Sequence, residues 1–95
     1  MNDELMTPHL NEIRRIARNH GAVRLRVFGS RASGAVTESS DLDLLADFEP
    51  GRDLLDLIGL KQDLEALLGC RVDVVTEAGL SPYLRDRILS EARVL

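Results

Sequence analysis

The sequence predicts an α/β fold, a small mixed sheet with helices packed on it. Two observations carry this. Apolar residues recur at helical spacing around residues 10–17 and 57–68, whereas short runs at 23–28, 41–48 and 72–76 read as strands between turn residues. The expected order is helix, strand, short helix, strand, helix, strand, helix, with no internal repeat, low-complexity tract or linker. A length of 95 residues suits one domain, 1–95, with one core.

Each element has a local reason. Thr7-Pro8 has the form of an N-cap followed by proline at the first helical position. Leu10, Ile13, Ile16 and Ala17 then share one helical face, and Gly21 supplies the stop. Arg14, Arg15 and Arg18 lie toward the C-terminal end, where the macrodipole favours positive charge, and a solvated face accounts for them. From Val23 to Phe28 the chain alternates, with Val23, Leu25 and Val27 on one side and Arg24 and Arg26 on the other. Gly29 ends this strand, Arg31 to Gly34 reads as a short helical turn, and Thr37 to Ser40 reads as a loop.

Asp41 to Phe48 is the second expected strand. Leu42, Leu44, Ala46 and Phe48 face the core, and Asp41, Asp43 and Asp47 face away from it, until Pro50-Gly51 ends the run. The strongest helical signal spans Asp53 to Leu68, where Leu57, Leu60, Leu64, Leu67 and Leu68 form one stripe closed by Gly69. Gly59 inside this helix costs about 1 kcal/mol relative to Ala, which points to a close packing contact there. Val72 to Thr76 forms a third strand. Ser81-Pro82 starts a final helix that runs through Leu84 and Ile88 and fades near Ala92.

Composition narrows the function classes. A hydrophobic content of 44% with 29% charged residues fits a folded globule and argues against disorder. The longest apolar runs are too short to span a bilayer and the N-terminus lacks a signal-peptide layout, so a cytoplasmic location and no membrane contact are expected. The single cysteine, Cys70, precludes an internal disulfide and reads as a buried thiol. A net charge of −4, with two Phe and one Tyr, argues against direct nucleic-acid binding and against a base-stacking platform.

The chemistry concentrates in Phe28-Gly29-Ser30-Arg31-Ala32-Ser33-Gly34, in Asp41-x-Asp43, and in Asp73 within Arg71-Val72-Asp73-Val74-Val75. Residues two apart on a strand point the same way, so Asp41 and Asp43 project together, and Asp73 joins them if its strand is adjacent. At ~6 Å and an effective dielectric of ~20, each such pair repels by roughly 3 kcal/mol. A divalent cation removes that repulsion, and oxygen-only ligands favour Mg²⁺ or Mn²⁺. Taken singly these features are bland: Asp-x-Asp is a charged strand face, Gly29-Ser30 a strand-ending turn and Arg31 a solvated arginine. In combination they read as a metal-dependent nucleotide site. Gly29 permits close approach to the backbone, Ser30 adds a hydroxyl, Arg31 can pair with a phosphate, and the amides beyond form an anion-binding turn. No Gly-Lys-Ser/Thr phosphate loop, dinucleotide fingerprint or EF-hand is present. His9 and His20 read as isolated surface residues, and Lys61 with Glu65 as a structural helix pair.

The run GSRASGAVTESSDLDLLADF, followed by RVDVVTEAGLSPYLRDRI, resembles the minimal nucleotidyltransferase family within the DNA polymerase beta superfamily. That pattern is Gly-Ser, a short helix, Asp-x-Asp on one strand and a third acid on a later one. The likeness covers essentially the whole chain and implies the polymerase-beta-like nucleotidyltransferase fold. It implies that Gly29 and Ser30 hold the β and γ phosphates of ATP. It also implies that Asp41 and Asp43 ligate two Mg²⁺ ions, and that Asp73 completes the second metal site and helps deprotonate the acceptor hydroxyl. The family usually reads Gly-Ser-x-Ala-Arg-Gly, and this chain has Ser33 where that arginine falls, so slower turnover or partial substitution by Arg31 is implied.

So short a chain has little beyond the catalytic module, and the resemblance implies a partner. Members of the family pair with a HEPN-type ribonuclease toxin as its antitoxin, in a hetero-oligomer, and active ones transfer AMP onto a toxin tyrosine. Two alternatives stand beside that reading. One is an antitoxin that masks its toxin by contact alone, through Leu80, Tyr83, Leu84 and Ile88 if these are not core residues. The other is the catalytic subunit of a two-chain enzyme that modifies a small molecule such as an antibiotic.

Overall fold

Residues 6–29 and 42–95 are described in the computed structural model of the chain. A 3₁₀ turn at Thr7–His9 leads into α1 (Leu10–Asn19), followed by strands β1 (Ala22–Phe28) and β2 (Leu42–Phe48). Helix α2 (Leu54–Leu68), strand β3 (Val72–Val75), a 3₁₀ turn at Glu77–Gly79, helix α3 (Arg85–Glu91) and strand β4 (Arg93–Val94) complete the order. The four strands form one mixed sheet in the order β3-β2-β1-β4. β1 is antiparallel to both β2 and β4, and β2 is parallel to β3. The parallel pair needs a crossover, and α2 provides it.

Helix α2 forms where the sequence supplies both ends. The Asp53 side chain accepts the Leu55 and Asp56 amides, and the Asp56 side chain accepts the Asp53 amide in return, a reciprocal capping box. At the other end Gly69 adopts φ 69°, the left-handed conformation that costs glycine least. The α2 leucines Leu60, Leu64 and Leu68 and the α1 residues Ile13 and Ala17 pack on one face of the sheet. That face carries Leu25 and Val27 of β1, Leu42, Leu44 and Ala46 of β2, and Val72 and Val74 of β3. Burying each large aliphatic side chain contributes about 1.5–3 kcal/mol, so this layer holds the sheet's strands in register.

Several expectations are corrected. Thr7 makes no side-chain cap; the first turn is 3₁₀ and the α-helix begins at Leu10. Val23 does not share the buried face of Leu25 and Val27. A register shift between Ala22 and Arg24 turns it outward, and Ala22 is buried instead. Ser81-Pro82 opens a turn rather than a helix, and α3 starts only at Arg85. The chain then returns as β4, which alternation over two residues is too short to reveal. Cys70 is partly exposed against the core margin rather than buried. Tyr83 is 95% exposed and Leu84 half-exposed, and neither Leu80 nor Ile88 is buried, so this segment does not serve as core. The expected short helical turn at 31–34 and the loop at 37–40 lie outside the described residues. Among the described residues no helix is long and apolar enough to cross a membrane.

Candidate active site

Strand register builds the site on the face of the sheet opposite the helices' leucine layer. Asp43 of β2 lies directly across from Asp73 of β3, and from Phe28 of β1 on its other side. Neighbouring strands are about 4.8 Å apart, so the two carboxylates extend from adjacent positions of one surface. The two differ in exposure: Asp43 is half-buried and Asp73 is open to solvent.

Phe28 hands the chain to Gly29, whose φ is 76°. A Cβ built on Gly29 would sit 2.6 Å from Oδ2 of Asp43, so the carboxylate occupies the space that any larger residue would claim. Glycine is required here twice, for the left-handed turn and for the approach of Asp43. The structure thus brings together Gly29, Asp43 and Asp73. Asp41, Ser30, Arg31 and Ser33 lie outside the described residues. Among the described residues no group of three potential metal-ligating side chains forms.

The same face carries a charged network that the sequence reading missed. Arg24, Arg26 and Phe28 alternate along β1 opposite Asp47, Leu45 and Asp43. Arg26 is only 9% exposed. Its Nη2 donates to Oε1 of Glu77 at 2.9 Å and approaches Oδ2 of Asp47 at 3.5 Å. Asp47 also accepts from Nε of Arg24 at 2.6 Å, and Glu77 accepts from Nη2 of Arg85 at 3.4 Å. Nothing near Arg26 in the sequence identifies Glu77 as its partner, because 51 residues separate them. The turn that holds Glu77 lies against β2, where Leu45 is fully buried despite lying on the charged face.

The remaining polar expectations resolve as follows. Glu65 accepts from Lys61 Nζ at 2.9 Å and from the Val72 amide at 3.1 Å, so the helix pair also fastens the start of β3, one residue before Asp73. These two hydrogen bonds, with Lys61's the larger influence, hold the Glu65 carboxyl below its ordinary pKa. His20 is not a free surface residue: Nε2 lies 2.6 Å from Oδ2 of Asp63, and its ring covers Gly59. A groove of about 210 Å³ runs beside Arg14, Arg18, Val23, Arg24 and Val94, and among the described residues no Asp or Glu lines it.

The sheet thus presents adjacent acids beside a glycine turn. Residues 10–95 match the nucleotidyltransferase domain family, and the chain belongs to it. A candidate protein adenylyltransferase of Methanocaldococcus jannaschii is 47% identical over 88 residues, covering 88% of this chain and 95% of that protein. The protein adenylyltransferase MntA of Thermococcus cleftensis is 39% identical over 89 residues, covering 94% and 87%. A solved structure described as a candidate minimal nucleotidyltransferase superposes with a TM-score of 0.84 at 51% identity, covering 99% of this chain and 98% of that one. The fold is shared, at TM-score 0.65 and 21% identity over 88% of this chain and 66% of that one, with a chain from a complex of an AMPylated Shewanella oneidensis HEPN toxin and its MNT antitoxin.

Proposed function

We propose that this chain is the antitoxin of a toxin–antitoxin pair and transfers AMP from ATP onto a tyrosine of a HEPN-type partner, so neutralising it. The carrying observation is the register of Asp43 with Asp73, with Asp43 placed over the Gly29 turn. The 39% identity to the adenylyltransferase MntA supports the protein acceptor. On this reading residues 1–95 form one catalytic unit that works in the cytoplasm as part of a hetero-oligomer.

The acids suit Mg²⁺ in their chemistry, since all donors are oxygens and two of them face each other across strands. Asp41, Asp43 and Asp73 would hold two such ions, with Mn²⁺ able to replace them. Bound there, the ions would supply charge stabilisation at the α phosphate and at the leaving pyrophosphate. The chain's own groups do the rest. The Gly29 turn and Ser30 orient the β and γ phosphates through backbone and hydroxyl donors, and Arg31 adds a positive charge. Asp73 is open to solvent, so an incoming phenol can reach it and give up its proton there. The phenolic oxygen then bonds to the α phosphorus as the bond to pyrophosphate breaks.

The test is incubation with α-labelled ATP, Mg²⁺ and any partner protein that co-purifies with the chain. Label on a partner tyrosine supports the reading. Unlabelled partner that is nevertheless neutralised by the chain, with Asp41 and Asp43 replaced, would instead assign a masking antitoxin.

A further inference from the structure

We infer that Arg26 is a positioning residue for the acidic site, holding the segment that follows β3 through Glu77 and so fixing where Asp73 stands relative to Asp43. The part of this inference that concerns metal rests on the nucleotidyltransfer reading above; the part that concerns position does not.

Three observations carry it. First, Arg26 is the buried charged residue among the described residues, and its Nε is enclosed without a hydrogen-bond partner among them. A guanidinium held this way costs free energy, so it stays only where its other bonds offset the loss. Second, those bonds cross the sheet. Arg26 lies on β1, while Asp47 belongs to β2 and Glu77 to the turn four residues beyond Asp73. Third, the network shares its face with the acids: Arg26 lies opposite Leu45, two residues along β2 from Asp43.

β3 is four residues long and lies at the sheet edge, so few ladder bonds fix its C-terminal end. Glu65 fastens its start through the Val72 amide, and Arg26 fastens the segment after it through Glu77. Arg85 holds Glu77 from the exposed side at 3.4 Å, and Arg24 holds Asp47 at 2.6 Å. A cation on Arg26 also lies one pair of residues from two like-charged carboxylates, where it moderates their repulsion.

The experiment compares wild type with Arg26→Met, Arg26→Lys, Glu77→Gln and Arg85→Met at a temperature where all are folded. Amide hydrogen exchange reads the strands one by one, and Mn²⁺ titration by electron paramagnetic resonance reads the acids without turnover. Arg26→Met is expected to speed exchange at Asp73 to Val75 about 10-fold, with the central β1 and β2 amides unchanged. It is also expected to weaken Mn²⁺ binding about 10-fold, as loss of a group supporting metal ligands does. Glu77→Gln should move both in the same direction, Arg26→Lys should restore most of the loss, and Arg85→Met should change neither by more than about 2-fold. Exchange that accelerates equally in every strand, with unaltered Mn²⁺ affinity in the folded protein, would reduce Arg26 to a general stabiliser and overturn the inference. If Arg26→Met does not fold, Glu77→Gln decides by the same readouts. A wild type that binds no Mn²⁺ would refute the metal reading of the acids, while the exchange measurement still decides the positioning role.

Discussion

The two faces of the sheet are built from the same strands and obey opposite rules. Toward α1 and α2, every second residue is aliphatic and enclosed, and neighbours there are interchangeable in kind. Toward the acids, every second residue is charged or flanks a charge, and the contacts are specific: Arg24 with Asp47, Arg26 with Glu77 and Asp47, and Asp43 over Gly29. The first face tolerates apolar residues that together fill its volume. The second depends on pairwise placement, so on the proposed function a single change there should remove activity without removing the fold. Stability and chemistry are thus divided between the two sides of a sheet only one residue thick.

Two substitutions break that division most directly. Asp43→Asn should lower AMP transfer on the order of 10³-fold, the scale seen when charge stabilisation of a transition state is lost. Its unfolding midpoint without metal should stay within a few degrees of wild type, because the amide keeps the carboxylate's size in the half-buried space beside Gly29. A fall of several degrees would show that Asp43 belongs to the packing instead. Leu44→Ala, one residue along on the other face, should show the reverse. Leu44 is fully buried, and its truncation should cost about 3 kcal/mol by denaturant titration while the folded fraction keeps its specific activity.

How much of this was legible in the sequence follows from the same contrast. Leu42, Leu44 and Ala46 announced their face because apolar residues at period two are buried there, although Leu45 on the opposite face is buried as well. The capped ends of α2 were equally readable, since Asp53 and Gly69 act within a few residues of themselves. Asp43 and Asp73 were candidates from the Asp-x-Asp pattern and the later acid in an apolar run, the resemblance added their roles, and their register makes them neighbours. What escaped was non-local. The bulge at Val23 reverses the local alternation, β4 has two residues, and Arg26 finds its partner 51 positions away. Alternation describes which side a residue takes, and says nothing of what meets it there.

Gly59 sharpens the comparison from the helical side. The sequence marked it as costly, and the structure supplies the reason: a Cβ there would lie 2.6 Å from Cε1 of His20, whose ring is held by Asp63. Gly59→Ala alone should therefore be near neutral, its gain in helix propensity offset by displacement of the ring. In a His20→Ala background the same change should stabilise by about 1 kcal/mol, the full propensity difference. A thermal unfolding cycle of the four proteins measures the coupling. An equal gain in both backgrounds would show that the imidazole moves aside without cost.

The smallest expected effect belongs to Glu65, which joins the leucine-rich helix to the strand bearing Asp73. Its carboxyl is held below the ordinary value first by Lys61's hydrogen bond and then by the Val72 amide, with Lys61 and Arg71 adding charge. A carboxyl whose pKa is lower in the folded chain contributes stability that is fully present above its unfolded value of about 4.3, and is lost as pH falls through the folded value. Glu65→Gln keeps an oxygen for Val72 and discards only the charge. Its unfolding temperature should therefore lie slightly below wild type at neutral pH, and the two should converge on acidification below about pH 4.3. A gap that persists at low pH would mean that the side chain's geometry, rather than its charge, fastens β3. Added salt separates the same possibilities at neutral pH, because screening weakens an exposed ion pair and leaves a hydrogen bond to an amide in place.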